Sequence, residues 1–315
     1  MKVLMISTDA LIFEPESGVH KRMLSYASGF EELFIVVLGV THDLKIMGKL
    51  KYLGLTRGRA LLWRPPIKFD LVTSQDPFET GMIARRLAKL VDAKLELQIH
   101  TDLFSPYFIK QSFKNWFRVQ IAKFLLPRAD YIRVVSQRIA DSLQTKSYKL
   151  KANILIRPIV VDVEVIKNSP IKTDLHQKYP QFNKIVLMAS RLTKEKNINL
   201  AIGAMKEVVK TNSKIGLIIV GSGPEKNSLK LKVESLKLDN NIIFEHWTDD
   251  LPSYYKTCNL FLLTSWYEGY GMTLVEARAA GCKIISTDVG VAREVGTIIS
   301  SFDSRDLAAI ILNVI

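Results

Sequence analysis

The sequence has 315 residues, more than one small core accommodates, and suits two domains. Hydrophobic residues at 48% and charged ones at 24% describe an ordinary soluble globular protein, and two cysteines, Cys258 and Cys282, exclude a disulfide framework or a cysteine zinc site. The net charge of +13 is uneven: residues 1–160 hold 25 Lys/Arg against 14 Asp/Glu, and residues 161–315 hold 19 against 17.

"MKVLMIS" opens the chain as a buried strand, Val3–Ser7, too short for a signal peptide or a membrane span. With the sparse cysteines, this predicts a cytoplasmic protein. Further strands read at Leu33–Leu38, Asp70–Thr73, Lys94–Ile99 and Tyr131–Val135, and helices from Gly18, Phe78, Phe108 and Ser136 onward. Residues 41–69 carry seven Lys/Arg, Pro65-Pro66 and three glycines without a clear period, and read as a surface insertion of helix and loop. "NILIRPIVVDVEVI" gives a strand ending at Arg157-Pro158 and then a connection. A second series follows in "KIVLMAS", "KIGLIIVG", "NIIFEH", "NLFLLT" and "CKIIST", each strand followed by a helix or turn. Strands alternating with helices predict an α/β protein of two doubly wound, Rossmann-like domains, 1–165 and 166–315.

Several strand ends carry residues suited to an anionic ligand. Arg191 follows "KIVLMAS" and Lys196 precedes the next helix, a cation pair suited to a diphosphate or, equally, an ordinary solvated loop. "VGSGPEKNSL" begins like a dinucleotide fingerprint but has Lys226 at the third glycine position, which disfavours a nicotinamide oxidoreductase. Gly18 opens a helix after a polar loop, where bare amides can meet an anion or simply form a turn. His100, in "LQIHTD", is either a satisfied structural residue or a group facing a crevice. In "SWYEGYGMTLVEARAAG", Glu268 lies in a glycine-rich turn and Glu276 on the following helix. Two hydroxyl acceptors flanking a phosphate-sized amide nest describe a nucleoside diphosphate sugar. No Asp-x-Asp stands at a strand end, so no metal site is expected and protein charge has to stabilise a leaving diphosphate.

These motifs together resemble a known family. "EGYGMTLVE" looks like the Glu-x7-Glu signature of the family 4 glycosyltransferases, also called glycosyl transferases group 1. "SRLTKEKN" resembles that family's Arg-Leu-x3-Lys element and "VGSGP" its Gly-x-Gly-Pro turn, in the expected order across residues 184–296. "SGV", "QIHTD" and "ADYIRVVS" match the first half more loosely.

The resemblance implies the GT-B architecture, two Rossmann-like domains facing across a cleft, with the acceptor side in the first and the donor nucleotide in the second. It implies that Arg191 and Lys196 bind the diphosphate, Glu268 the transferred sugar and Glu276 the ribose. It further implies that backbone amides of Tyr270, Gly271, Met272 and Thr273 touch phosphate and sugar. Gly18 would meet the diphosphate from the first domain, His100 would lie near the reacting carbon, and the "EHWTDD" loop would seat the base.

The implied activity is transfer of a sugar to an acceptor hydroxyl on a glycan or lipid, with retention and without metal or cofactor. A sugar-nucleotide epimerase and a non-catalytic nucleotide-sugar-binding module are the alternatives. Ser17 stands where many relatives carry a second glycine. The sequence stops at Ile315 inside a predicted helix, so the family's final crossover helix is not expected in it.

The basic first half calls for a polyanion or anionic membrane partner, or is a solvated surface. Nucleic acid is not the expected partner. Between Phe108 and Leu126, Ile109, Phe113, Trp116, Phe117, Ile121 and Phe124 follow helical spacing, interleaved with Lys110, Lys114, Arg118 and Lys123. Such a helix either lies on the inner face of a membrane, as a peripheral anchor, or packs its apolar stripe on the sheet.

Overall fold

Strands that are apolar on both faces bury themselves in parallel sheets, and both halves of the chain are built on such strands. A computed structural model describes residues 1–145 and 150–315. They divide into two units, Met1–Pro158 and Ile159–Ile315.

The strands of the first unit are β1 (Lys2–Ser7), β2 (Glu32–Leu38), β3 (His42–Met47), β4 (Leu50–Leu55), β5 (Leu71–Ser74), β6 (Lys94–Ile99), β7 (Tyr131–Val134) and β8 (Asn153–Ile156). Its helices are α1 (Gly18–Ser28), α2 (Arg57–Leu62), α3 (Glu79–Val91), α4 (Pro106–Gln111), α5 (Phe113–Leu125) and α6 (Gln137–Thr145). The sheet runs β3-β4-β2-β1-β5-β6-β7-β8 and is parallel except for the antiparallel pair of β3 with β4.

Two expectations are corrected here. Residues 41–69 are not a helix-and-loop insertion: they form the β3–β4 pair and the short helix α2. Buried Leu50 and Tyr52 alternate along β4, which lies parallel on β2, and Lys51 between them pairs with Glu32 at 2.7 Å. Flanking basic residues hid that period of two.

The helix expected from Phe108 to Leu126 is two helices. Ser112 is extended between them, and its hydroxyl accepts the amide of Asn115, capping α5. Asn115 in turn donates to the carbonyl of Phe108, closing the end of α4. The face of α5 that packs inward carries Asn115, Val119, Ala122 and Leu125. The aromatic stripe faces out: Phe113 is 80% exposed and Phe117 56%. Arg118 is tied to Glu79 of α3 at 3.1 Å.

The second unit comprises α7 (Val163–Asn168), α8 (Leu175–Lys178), β9 (Lys184–Ala189), α9 (Ile198–Thr211), β10 (Ile215–Val220), α10 (Lys226–Ser235) and β11 (Ile242–Glu245). It continues with α11 (Leu251–Thr257), β12 (Leu260–Leu263), α12 (Met272–Ala279), β13 (Ile284–Thr287), β14 (Ile298–Ser300) and α13 (Ser304–Val314). Its parallel sheet runs β11-β10-β9-β12-β13-β14. The edge strand β14 is absent from the sequence reading, because three residues carry too little period to register.

Alternate residues of the central strands feed two cores. Val186 and Met188, Leu217 and Ile219, and Leu260 and Leu262 meet α9, α10 and α13 on one face. Leu187, Ile218, Phe261 and Leu263 meet α8, α11 and α12 on the other.

Gly216 of β10 lies in this second layer, where an added Cβ would come within 2.3 Å of the Phe182 ring. Gly216→Ala is therefore expected to destabilise by roughly 1–3 kcal/mol, the usual cost of overpacking. A lowered urea midpoint, partly restored by adding Phe182→Leu, is the measurement.

Candidate functional site

In the second unit the strand order reverses between β9 and β12, and such switch points open a crevice at the carboxyl ends of the strands. The chain leaves β9 through Ser190 and Arg191, then enters the turn Lys194–Lys196. Leu192 pairs its amide with the Ser222 carbonyl at 2.8 Å, so the loops after β9 and β10 lie backbone on backbone. Asn197 follows in the left-handed region, φ 46°, a conformation asparagine tolerates. The Thr264 hydroxyl at the end of β12 donates to the carbonyls of Lys196 and Asn197, each at 3.0 Å. The Trp266 amide reaches the Glu195 carbonyl at 2.8 Å. The two strand ends are thereby stitched together.

That stitching joins the predicted charges. Lys196 Nζ lies 2.5 Å from Glu268 Oε1, and both side chains are largely buried. The Ser265 hydroxyl donates to the same oxygen at 2.7 Å. Arg191 is 76% exposed and reaches Glu195 at 3.3 Å, leaving its guanidinium at the rim, open to an anion. Thr193 donates to the same Glu195 oxygen at 2.6 Å.

After Glu268 the chain passes Tyr270 and Gly271 into α12. Gly271, φ 89°, occupies the cap position and offers no side-chain acceptor, so the first-turn amides of Met272 and Thr273 face outward from the helix start. Glu276 lies one turn further along. Its Oε2 accepts the hydroxyl of fully buried Tyr255 at 2.9 Å. Burial pushes the Glu276 carboxyl up, and the Tyr255 hydrogen bond pulls it partly back.

Arg191, Lys196, Glu268, residues 270–273 and Glu276 thus come together at one switch point. Gly18 and His100 belong to the first unit. Gly18 opens α1, and Ser17 is that helix's cap, its oxygen accepting the His20 amide at 3.0 Å. Serine in place of a second glycine thus leaves the amides of Gly18 and Val19 as the first-turn donors. His100 follows β6. Desolvation, then the charges of Arg133 and Arg22, hold its imidazole down to about 4. The ring is therefore neutral at neutral pH.

Residues 171–309 match the glycosyl transferases group 1 family, and the match covers most of the second unit. This span is a group 1 glycosyl transferase domain. The alpha-monoglucosyldiacylglycerol synthase of Streptococcus pneumoniae is 25% identical over 231 residues, 70% of this chain and 52% of the relative. An N-acetylgalactosamine-N,N'-diacetylbacillosaminyl-diphospho-undecaprenol 4-alpha-N-acetylgalactosaminyltransferase of Campylobacter jejuni is 29% identical over 186 residues, 58% and 48% of the two chains. This chain therefore spans about half the length of these curated relatives. HepE of Anabaena, solved with UDP and glucose, superposes with a TM-score of 0.75 at 18% identity, over 99% of this chain and 89% of that one. The likeness shows the fold, two Rossmann-like α/β domains of GT-B type.

The sequence reading passes over two residues of the group 1 domain and takes a third, Glu245, only as the start of the base-seating loop. Ser265 and Tyr255 hold the two glutamates, and Glu245 ends β11 bound to Lys178 and Tyr254, each at 2.7 Å, and to Tyr179. "YYKTCNLFLLTS" contains Tyr255, but nothing in a linear pattern says that it faces a carboxylate 21 residues away. Because Tyr255 lowers the Glu276 carboxyl, Tyr255→Phe is expected to raise it further. Carboxyl carbon NMR of Glu276 across pH should then titrate at higher pH in the variant than in the native protein.

Proposed function

We propose that the chain is a retaining glycosyltransferase that moves a sugar from a nucleoside diphosphate sugar to an acceptor hydroxyl, without a metal. The observation that carries this reading is the Lys196–Glu268 pair beside the uncapped start of α12, with Glu276 one turn on. Arg191, Lys196 and the amides of Gly271, Met272 and Thr273 would hold the diphosphate, with Tyr270 beside them. Glu268 would orient the sugar hydroxyls and Glu276 the ribose diol. Gly18 and His100 would contribute from the first domain. As the bond from sugar carbon to phosphate oxygen breaks, negative charge grows on the diphosphate and the cations stabilise it. The acceptor oxygen attacks the same face, and its proton passes to the leaving phosphate oxygen.

UDP is the first base to test, because HepE was solved with it. A screen of UDP-, GDP- and ADP-sugars, with and without acceptors and with chelator present, tests the whole reading. Transfer product in chelator supports it, epimerised donor replaces it with an epimerase, and binding without turnover replaces it with a binding module. Within the site, Lys196→Ala should cut kcat by roughly 10²–10³, the usual size for one charge-stabilising donor. Glu268→Gln should lower turnover without weakening UDP, since it also releases Lys196 to the diphosphate. Glu276→Gln should weaken UDP itself by roughly tenfold or more. Equal loss of UDP affinity in both glutamate variants would reject the division of roles.

The acceptor side of the proposal is a lipid-linked acceptor reached from an anionic membrane surface. Among the described residues no helix is long and apolar enough to cross a membrane. Support comes from the outward face of α5, where Phe113 stacks on Trp116 at 5.5 Å and Phe117 and Phe124 lie exposed. Lys110, Lys114 and Lys123 flank them, each worth about 1 kcal/mol near an anionic surface. Arg118 does not count, being spent on Glu79. The protein should co-sediment with anionic vesicles at low salt, less at high salt, and little with neutral ones. Phe113→Ser with Phe117→Ser should abolish this, and equal binding to both vesicle types at every salt level would remove the proposal.

A further inference from the structure

Parallel strands covered on both faces are normally apolar throughout. The first unit's sheet breaks this pattern with a row of polar side chains across its central strands. Ser7 of β1 donates to Gln75 Oε1 at 2.8 Å. Thr73 of β5 lies opposite Glu96 of β6, and Gln98 lies opposite Arg133 of β7. Thr73 is 2% exposed and Gln98 3%, so their polar groups must be satisfied within the sheet.

The hydrogen bonds of this row have one consistent direction. The Glu96 carboxylate can only accept, and it accepts a hydrogen bond from the Thr73 hydroxyl at 2.7 Å. The Thr73 oxygen, having donated, accepts from Gln98 Nε2 at 2.8 Å. The Gln98 amide is thereby oriented, and its Oε1 faces His100 Nε2 at 3.2 Å. An amide oxygen only accepts, so the proton must sit on Nε2, and the lone pair of His100 is left on Nδ1. A carboxylate three groups away dictates the tautomer of the ring.

We propose that Glu96, Thr73 and Gln98 are positioning residues that hold His100 neutral with its proton on Nε2, presenting Nδ1 as acceptor to a substrate hydroxyl. The substrate half of this statement rests on the glycosyltransferase reading; the state of the ring does not. The charged neighbours agree with it. Arg133 on β7 and Arg22 on α1 both act against an imidazolium. The carboxylates of the nearby strand ends are Asp76, held by the Phe78 amide at 2.8 Å, and Asp102 in the loop after His100. His100 so held is neither a proton donor nor a cation for the diphosphate at neutral pH. It orients a hydroxyl.

The test is nitrogen NMR of ¹⁵N-histidine protein, with kinetics alongside. In the native protein His100 should remain neutral and Nε2-protonated from neutrality down to about pH 5. Gln98→Glu puts a carboxylate against Nε2 and should raise the His100 titration to the ordinary histidine value of about 6.5 or beyond. The same variant should bring a new acid limb into the pH profile of kcat/KM. Gln98→Leu removes the acceptor, so both tautomers should populate, and kcat/KM should fall about tenfold, the size of one hydrogen bond, with no new limb.

A native ring protonated on Nδ1, or one titrating near 6.5, would overturn the proposal. So would a Gln98→Glu titration unchanged from native. If the Gln98 variants fail to fold, Thr73→Val interrupts the same relay, and the native measurement decides by itself. Loss of the predicted ring state refutes the positioning role whatever the activity. The predicted ring state without turnover on any donor refutes the glycosyltransferase reading alone.

Discussion

Backbone meets backbone at the strand ends of the second unit, and the site depends on that contact. A Cβ on Gly221 would sit 1.9 Å from the Ser190 carbonyl oxygen, and one on Gly223 would sit 2.3 Å from that of Leu192. No side chain fits between the loops after β9 and β10. On the other side of the switch point, a Cβ on Gly290 would sit 2.2 Å from the Tyr270 carbonyl oxygen. These close approaches clamp the loops bearing Arg191 and Glu268 from both sides, so glycine there is a steric requirement. The reward is a crevice whose walls are amides and carbonyls already in place before any ligand arrives.

Charge is arranged on that frame at some cost to stability. A largely buried ion pair such as Lys196–Glu268 loses hydration that mutual attraction only partly restores. Ser265 lowers the cost by supplying another donor to the carboxylate. An arriving anion can take Lys196 from Glu268 and leave that carboxylate free for hydroxyl groups. Under the proposed function, that one contact would serve both halves of a diphosphate sugar site. Glu276 follows different logic: it is desolvated, pushed toward protonation, and kept in place by Tyr255.

The first unit shows the same economy in another form. Its sheet sacrifices apolar packing along Ser7, Thr73, Glu96, Gln98 and Arg133, residues that a purely structural sheet would fill with valine or isoleucine. Because each of the bonds linking Glu96, Thr73 and Gln98 has a single permitted direction, the row carries orientation out to the strand end. On the outside of the unit, α5 has apolar character on two faces. Val119, Ala122 and Leu125 pack inward, and the aromatic residues lie against solvent, at a place where water is a poor partner for them.

The central strands of both units, the switch-point position of Arg191, Lys196 and Glu268, and the spacing of Glu268 to Glu276 were all readable in the sequence. They are properties of local runs: an unbroken apolar stretch reports a strand buried on both faces, and a glycine-rich turn before helix formers reports a bare helix start. The β3–β4 pair and the break at Ser112 were readable in principle, but basic residues around Leu50 and Tyr52 masked one, and continuous helical spacing masked the other. Tertiary structure alone decided what Tyr255, Thr73 and Gln98 do. Each of the bonds Tyr255–Glu276, Gln98–Thr73 and Thr73–Glu96 joins groups more than 20 residues apart. Such bonds exist because strand order and helix packing bring those residues side by side, and the period of a segment records only which face it buries, not which neighbour it will meet.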